Sequence, residues 1–344
     1  MKTYFISDLH FGVRNASVEW LKNQLSFFEE FLINKVEEDS YLIIGGDVFD
    51  NRQTINIFVY HSVFTLFKKL SNRFKEIHII IGNHDISNKT TNEVNALSMF
   101  NLIDNIFVYE KPATKILGNS KFLFMPWMNG EEFSYIQKYK SDKPDYLVMH
   151  TNINSLQLNK YKEISNGVDI MALKDFKKVF NGHIHYRQEK NNIIMMGNPY
   201  HLNRNDLDND KYIYCLDVNT HELTKIKNTF SPEFKQIDFY NLLEMNLPSA
   251  QKQFSNNYMY IRISNSITFD NGINTVLDNL DCAKNIKILY YDDNEADDID
   301  VANYNEDLSV EKIMEEYIES IPQEDETKKQ IKKILDKYRL ELQN

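Results

Sequence analysis

At 344 residues and a formal net charge of −11, the chain exceeds a usual single domain, and its acidity by itself disfavours a polyanionic partner. The charge is unevenly placed: Asp292 to Asn344 holds 17 acids against 7 Lys/Arg, a net of −10, which leaves residues 1–291 at −1 and keeps a phosphate-rich partner in play. Gly and Pro are scarce, which argues against wholesale disorder, and no apolar run approaches the ~20 residues of a membrane helix.

The chain enters strand-like sequence at once, over Met1–Ile6, with no signal peptide ahead of it. Ser17 is expected to cap a helix running to about Glu37, with Leu21, Leu25, Phe28 and Leu32 at helical spacing. The apolar run Tyr41-Leu42-Ile43-Ile44 reads as a buried strand. Ile55–Leu70 reads as a helix with Val59, Val63, Leu66 and Leu70 on one side. A strand at Ile77–Ile81 and a short helix at Asn92–Ile103 follow. Further strands are expected at Phe107–Tyr109, Phe122–Met125, Tyr146–Met149, Lys178–Phe180, Ile193–Met196 and Tyr212–Leu216. Early β-α-β alternation followed by closely spaced strands predicts an α/β (α+β) fold, a two-layered β-sandwich with flanking helices, over residues 1–230.

Beyond that body the character changes. Residues 231–291 read as a small β-α-β unit, with strands at Asn257–Ser264 and Ile286–Tyr291 around a helix at Asn271–Leu280. An acidic linker at 292–308 leads to a helix pair at 309–344, each helix with one apolar face. Cys215 and Cys282 match no metal or redox spacing and read as reduced thiols of a cytoplasmic protein.

Five polar clusters each follow an expected strand: Asp8-Leu9-His10, Gly46-Asp47-Val48-Phe49-Asp50, Gly82-Asn83-His84-Asp85, His150, and Gly182-His183-Ile184-His185. Five of the nine histidines fall within them. In an extended segment alternate residues point the same way, so Asp-x-His and His-x-His each present two ligands to one cavity. Carboxylate, imidazole and amide oxygen together suit Mn²⁺, Fe²⁺ or Zn²⁺, with no thiolate to select zinc. An isolated Asp-x-His is more often structural, whereas five such clusters at strand ends point to a metal site.

The order D-x-H, G-D-x-x-D, G-N-H-D, H, G-H-x-H resembles that of the calcineurin-like metallophosphoesterases over Asp8 to His185. Gly46-Asp47-Val48-Phe49-Asp50, Pro126-Trp127-Met128, Gly197-Asn198-Pro199-Tyr200 and Phe230-Ser231-Pro232-Glu233-Phe234 are similar to the SbcD-type DNA repair and recombination nucleases, nearest to their phage members. The resemblance implies one metal held by Asp8, His10, Asp47 and His185, and a second held by Asp47, Asn83, His150 and His183. Mn²⁺ is the implied metal, with Mg²⁺, Fe²⁺ and Zn²⁺ as alternatives. His84 is implied to stabilise developing charge or protonate the leaving oxygen. Asp85 either orients His84 or caps the local turn. Some relatives carry His where Asp50 stands, so Asp50 is expected to take another role, such as orienting a ligand.

The same resemblance implies a 3′→5′ exonuclease on duplex DNA and a single-strand endonuclease. It further implies a cap on the DNA groove from 231–291, and a helical segment at 309–344 bound to a coiled-coil SMC-like ATPase. A homodimer through Ile55–Leu70 and Asn92–Ile103, within a heterotetramer, and work in a bacterial or phage-infected cytoplasm are also implied. Arg14 and Arg187 are further DNA-contact candidates, with solvated surface roles as the alternative; the Asn203-Arg204-Asn205 loop is another DNA-contact candidate. His201 is expected to take a surface role, with DNA contact as the alternative. The competing functional reading is a stand-alone phosphodiesterase or phosphatase acting on a small molecule or protein.

Overall fold

Apolar alternation along two sets of strands builds the molecule. The computed structural model describes residues 1–88, 91–264, 280 and 283–291; the expected linker and helix pair of 292–344 lie outside the described residues, as does the helix expected at Asn271–Leu280 except for its last residue.

The first strands are β1 (Lys2–Ile6), β2 (Tyr41–Ile44), β3 (Glu76–Ile80), β4 (Ile86–Asn88), β5 (Thr91–Asn95) and β6 (Ile106–Tyr109). Then come β7 (Ala113–Leu117), β8 (Ser120–Met125), β9 (Tyr146–Met149), β10 (Lys178–Asn181), β11 (Gln188–Lys190) and β12 (Ile193–Met195). The last are β13 (Tyr212–Asp217), β14 (Leu223–Lys227), β15 (Phe234–Asp238), β16 (Tyr258–Ser264) and β17 (Asn285–Tyr291). One six-stranded sheet runs β14-β13-β1-β2-β3-β6 and a second runs β11-β12-β10-β9-β8-β7. The strands β1, β2, β3 and β6 are mutually parallel, with β6 at the sheet's edge and antiparallel β13 on the other side; β8, β9, β10 and β12 are mutually parallel between antiparallel β7 and β11. The two-layered mixed sandwich expected from the strand spacing is present.

Period-two alternation explains how the layers meet. Phe5 and Ile43 point between the sheets, into a core with Phe122, Val148, Phe180 and Tyr214. Tyr4, Ile6, Leu42 and Ile44 point outward, onto a core shared with the helix Ile57–Ser71 and the helical stretch from Val18. The outer face of the second sheet has its own core, with Leu123, Leu147, Met149 and Val179. The Phe5 and Phe180 rings stack at 3.8 Å between centroids and join the sheets at their middle strands.

Two expected features differ. Asn92–Ile103 is not a helix. It is β5, hairpin-paired with β4, followed by a 3₁₀ turn at Ser98–Leu102. Leu97 and Phe100 are buried there while Val94 is exposed, so one helical-looking interval produced the reading. The helix after Ser17 is interrupted: Val18–Ser26 is α-helical, Phe27–Leu32 is a π-helical turn and Ile33–Lys35 resumes the α-helix. That turn buries Phe27, Phe28, Phe31 and Leu32 together.

A third sheet, β15-β16-β17, packs on its own apolar cluster of Phe239, Leu242, Phe254, Met259 and Ile261. It lies in the same compact unit, Met1–Tyr290, as the sandwich. Trp20 of the N-terminal helix stacks on Tyr258 at 5.0 Å and on Phe234 at 5.9 Å, which ties this sheet to the body. Among the described residues no helix is long and apolar enough to cross a membrane.

Candidate metal centre

The five polar clusters occupy the turns after β1, β2, β3, β9 and β10, at the carboxyl ends of parallel strands. Open α/β sheets bind ligands at that edge because the chain must leave each strand there and can turn side chains into a shared crevice. Here the pairing continues beyond the strands. Asp8 N donates to Gly46 O at 3.0 Å and His10 N donates to Asp47 O at 3.1 Å, so the first two clusters lie side by side. Asp8, His10, Asp47 and His183 all have positive φ, between 48° and 77°. Non-glycine residues rarely adopt that conformation, and surrounding contacts must hold them in it.

On one side, His10 Nε2 and His185 Nε2 face each other at 2.9 Å, and Asp8 completes a triad with them. His10 Nδ1 faces the Asp50 carboxylate at 3.1 Å and therefore donates to it, which leaves the Nε2 lone pair directed at His185. Asp8 Oδ1 accepts from His183 N at 2.9 Å, whereas Asp8 Oδ2 is buried without a partner. On the other side, Asp47, His150 and His183 form a second triad. Asn83 Oδ1 lies 2.8 Å from His183 Nδ1 and 3.0 Å from His150 Nε2. His150 Nε2 lies 3.2 Å from Asp47 Oδ2, and Asp47 Oδ2 also lies 3.8 Å from His10 Nε2. Asp47 thus stands between the two triads.

The donor set asks for a cation. His150 Nδ1 donates to Gly45 O at 2.6 Å, so the Nε2 facing Asp47 and Asn83 carries a lone pair unless the ring is charged. Burial alone would lower the His150 pKa, but the Asp47 carboxylate outweighs it and raises it to about 9. A proton thereby fills, in part, the place a divalent ion suits. Burial would likewise raise Asp47, yet His150, His84 and His10 together hold it well below the usual carboxylate range. The orphaned Asp8 oxygen and the facing imidazole nitrogens fit the same group.

His84 is anchored through its ring and its backbone. Its Nδ1 donates to Asp50 O at 2.6 Å, its backbone N donates to Asp47 Oδ1 at 2.8 Å, and its Nε2 is buried without a partner. Burial lowers its pKa, with Asp47 opposing the shift. Asp50 contacts a ligand-type side chain, His10, through its carboxylate. Asp85 does not orient His84: its oxygens accept from the backbone of Gly82 at 3.0 Å, Val48 at 2.9 Å and Phe49 at 3.1 Å. It therefore ties the third cluster to the second and caps the local turn. Burial and the neighbouring Asp47 raise its pKa to about 7.

Glycine is required where the turns crowd together. A Cβ on Gly46, at φ 96°, would lie 2.5 Å from His150 Nδ1, and one on Gly82 would lie 2.1 Å from Asp47 Oδ1. Trp127 is buried in the core, and its ring also walls the centre 5.0 Å from that of His183.

The remaining candidates fare unequally. His201 is buried, contrary to the surface role expected of it, and its Nδ1 accepts from Phe234 N at 3.1 Å. Arg14 lies 4.3 Å above the Trp20 ring and donates to Leu202 O, so its guanidinium is engaged within the fold. Arg187 is held by Asp210 O and Glu189 and stacks on Tyr212. Arg204 donates to Gln236, and Asn203 caps its own 3₁₀ turn. Sequence reading missed Asn181, whose amide joins the Thr151 backbone and fixes the turns after β9 and β10 to each other. A buried Asn ending a strand just before Gly182-His183 was its only signal.

The family of calcineurin-like phosphoesterases matches residues 1–215. The chain is 25% identical over 344 residues to Exonuclease subunit 1 of Enterobacteria phage T4, covering 94% of this chain and 93% of that one. It is 28% identical over 171 residues to YydB of Bacillus subtilis, described as an uncharacterized metallophosphoesterase-like protein, covering 46% of this chain and 33% of that one. Among solved structures, an archaeal phosphodiesterase aligns over 66% of this chain and 99% of its own, at 15% identity and a TM-score of 0.34. Family and similarity together support phosphodiester hydrolysis as the activity. With more than half of its length matched and the family's motif order converging on one cleft, this chain belongs to the calcineurin-like phosphoesterases.

Proposed function

We propose that the protein is the nuclease subunit of an ATP-dependent DNA recombination and repair complex. The observation that carries the reading is the pair of buried triads around Asp47, joined to similarity with a phage exonuclease subunit over nearly the full chain. Asp8, His10, Asp47 and His185 would hold one divalent cation, and Asp47, Asn83, His150 and His183 would hold the other. Mn²⁺ fits this oxygen and imidazole set. When bound, the pair supplies activation of the attacking water and neutralisation of charge on the phosphoryl group.

The chain's own residues do the rest. Asp47 faces both pockets and fixes their separation. Asp50 holds the His10 ring in the tautomer that points Nε2 inward. His84 is locked by its Nδ1–H on Asp50 O, and its buried, unpartnered Nε2 is left for the reacting group. Protonated there, it donates to the leaving 3′-oxygen; neutral, with its one N–H on Asp50 O, it has no proton to offer the phosphate. Trp127 and the buried turns exclude bulk water from the protein side of the cleft.

The substrates are duplex DNA, degraded 3′→5′, and single strands, cut internally. The sheet β15-β16-β17 caps the DNA groove, and residues 309–344 bind the coiled coil of an SMC-like ATPase. Two copies pair through the exposed Ile57, Phe58, Met99 and Leu102, within a heterotetramer that works in the cytoplasm of a bacterial or phage-infected cell.

The test uses the full chain with labelled duplex and single-stranded DNA, alongside small phosphodiester and monoester substrates. Mn²⁺-dependent release of nucleotides, abolished by chelator, is expected. Robust turnover of small esters with intact DNA would replace this reading by that of a stand-alone phosphodiesterase. Deleting residues 309–344 should leave nucleolysis in place and abolish capture of a coiled-coil ATPase; retained capture rejects that assignment.

A further inference from the structure

Behind the first metal pocket lies a buried polar network that no step above uses. Lys211 is fully buried, and its ammonium donates to Asp206 Oδ1 at 2.5 Å, to Asn198 Oδ1 at 2.6 Å and to the backbone carbonyl of His185 at 3.0 Å. Asn198 in turn donates to Asp206 Oδ2 at 3.1 Å and to Tyr200 O at 2.7 Å. The Tyr200 hydroxyl donates to the carbonyl of Leu9, between Asp8 and His10, at 2.7 Å. Gln24 adds donors to Leu9 O at 2.8 Å and to His10 O at 3.1 Å. Gly197 lets the turn approach: at φ 65°, a Cβ there would lie 2.6 Å from the same His185 carbonyl.

A buried ammonium carries a large desolvation cost, so a fold that keeps one surrounds it with acceptors, and a carbonyl tied to such a charge is held strongly. Both tethered carbonyls belong to residues of one pocket: Leu9 lies between Asp8 and His10, and His185 is itself a ligand. His183, on the same turn but facing the other pocket, is held instead by its backbone N on Asp8 Oδ1 and by its ring beside Asn83. The opposite pocket is braced differently. His150 is held by Gly45 O, and Asn83 sits in the turn capped by Asp85.

We infer that the Lys211–Asp206–Asn198–Tyr200 network positions the first metal pocket in preference to the second, so that its loss yields a protein retaining one ion of the two. Lys211 and Tyr200 are positioning residues: they touch the backbone behind the ligands and not the cleft. The inference rests on the two-metal reading above and goes beyond it by separating the pockets energetically. It also gives Gly197-Asn198-Pro199-Tyr200 a physical role, that of carrying the acceptor and the hydroxyl which clamp the two turns.

The test is Mn²⁺ titration of the full chain, followed by electron paramagnetic resonance and calorimetry. Lys211→Met alone would strand the Asp206 charge and threaten folding, so the main variant pairs Lys211→Met with Asp206→Asn, which keeps acceptors for the Leu202 and Asn203 amides. Tyr200→Phe is the milder second variant. Wild type is expected to take two ions with the signature of an exchange-coupled pair. The paired variant should bind one ion with unchanged affinity and the other at least about tenfold more weakly, showing a mononuclear signal at one equivalent. Tyr200→Phe should shift the same ion in the same direction by less. If both ions weaken equally, or neither does, in variants whose circular dichroism matches wild type, the inference is overturned. If wild type itself binds no pair, the two-metal reading fails instead.

Discussion

The carboxylate of Asp50 accepts the Nδ1–H of His10 at 3.1 Å across the turns that follow β1 and β2. It is one-third exposed while the imidazole it grips is almost fully buried, so the charge holds the ring from the cleft's rim. Asp50→Asn keeps the size and loses the charge. The expected outcome is about 10- to 100-fold weaker metal binding with little change in thermal stability. Calorimetric titration with Mn²⁺ checks the first part and thermal unfolding without metal the second; equal metal affinity would remove Asp50 from the ligand-supporting set.

His84 separates chemistry from metal loading. Its buried Nε2 has no hydrogen-bond partner, and His84 groups with His10 and Asp50 rather than with the two triads beside Asp47. His84→Ala should lower kcat by about 10²- to 10⁴-fold while the ion count per chain stays that of wild type. DNA digestion at the wild-type rate would reject its role at the leaving oxygen.

Gly46 is where backbone and ligand collide. An alanine there must adopt a φ of 96° and place its Cβ 2.5 Å from His150 Nδ1. Strain of this kind costs about 1–3 kcal/mol before the clash is counted. Gly46→Ala should therefore lower stability by at least that much in denaturant unfolding. The surviving protein should bind metal more weakly, because His150 is displaced. Wild-type stability would show that the turn can open at no cost.

His201 gives a pH dependence with a fixed sign. Burial, opposed by Asp206, lowers its pKa to about 4 in the fold, below the ordinary value of 6.5. Between those values the unfolded chain takes up a proton that the folded chain does not, so stability falls as pH drops from 6.5 towards 4. The loss approaches roughly 3 kcal/mol for this group. His201→Asn offers Phe234 N an oxygen acceptor and cannot be charged. It should flatten that part of the stability curve, as read by urea unfolding across the interval; an unaltered slope would assign the effect elsewhere.

Much of this centre was legible in the sequence because ligands at strand ends leave a local mark: an apolar run, then Gly with His or Asp. The inner strands were legible for the same reason, as four to six buried residues in a row leave little ambiguity. What escaped lacks that contrast. β11 and β14 are edge strands with most of their residues exposed, the edge strand β7 has a single buried residue, and β4 and β5 form a short hairpin without an apolar face. The positive φ of Asp8, His10, Asp47 and His183 was invisible, since it comes from the neighbouring turn rather than from the residue. The burial of His201 and Lys211 left no mark, because their partners lie in the packing of one loop on another sheet.

The centre draws Asp8, His10, Asp47 and Asn83 from the β1–β3 layer, and His150, His183 and His185 from the β9–β10 layer. Neither layer owns a complete pocket. An ion bound here is a rivet through two plates: it resists their sliding and loosens when they shear. A chain cut in the segment between β6 and β7 would leave Asp8 to Asn83 on one fragment and His150 to His185 on the other. Each fragment alone would be blind to Mn²⁺ at this site, and the metal would act as glue in their reassembly. Catalytic competence and the alignment of the sandwich therefore fail together, and a lesion far from the cleft that lets the sheets slip is read out as lost chemistry before it is read out as lost fold.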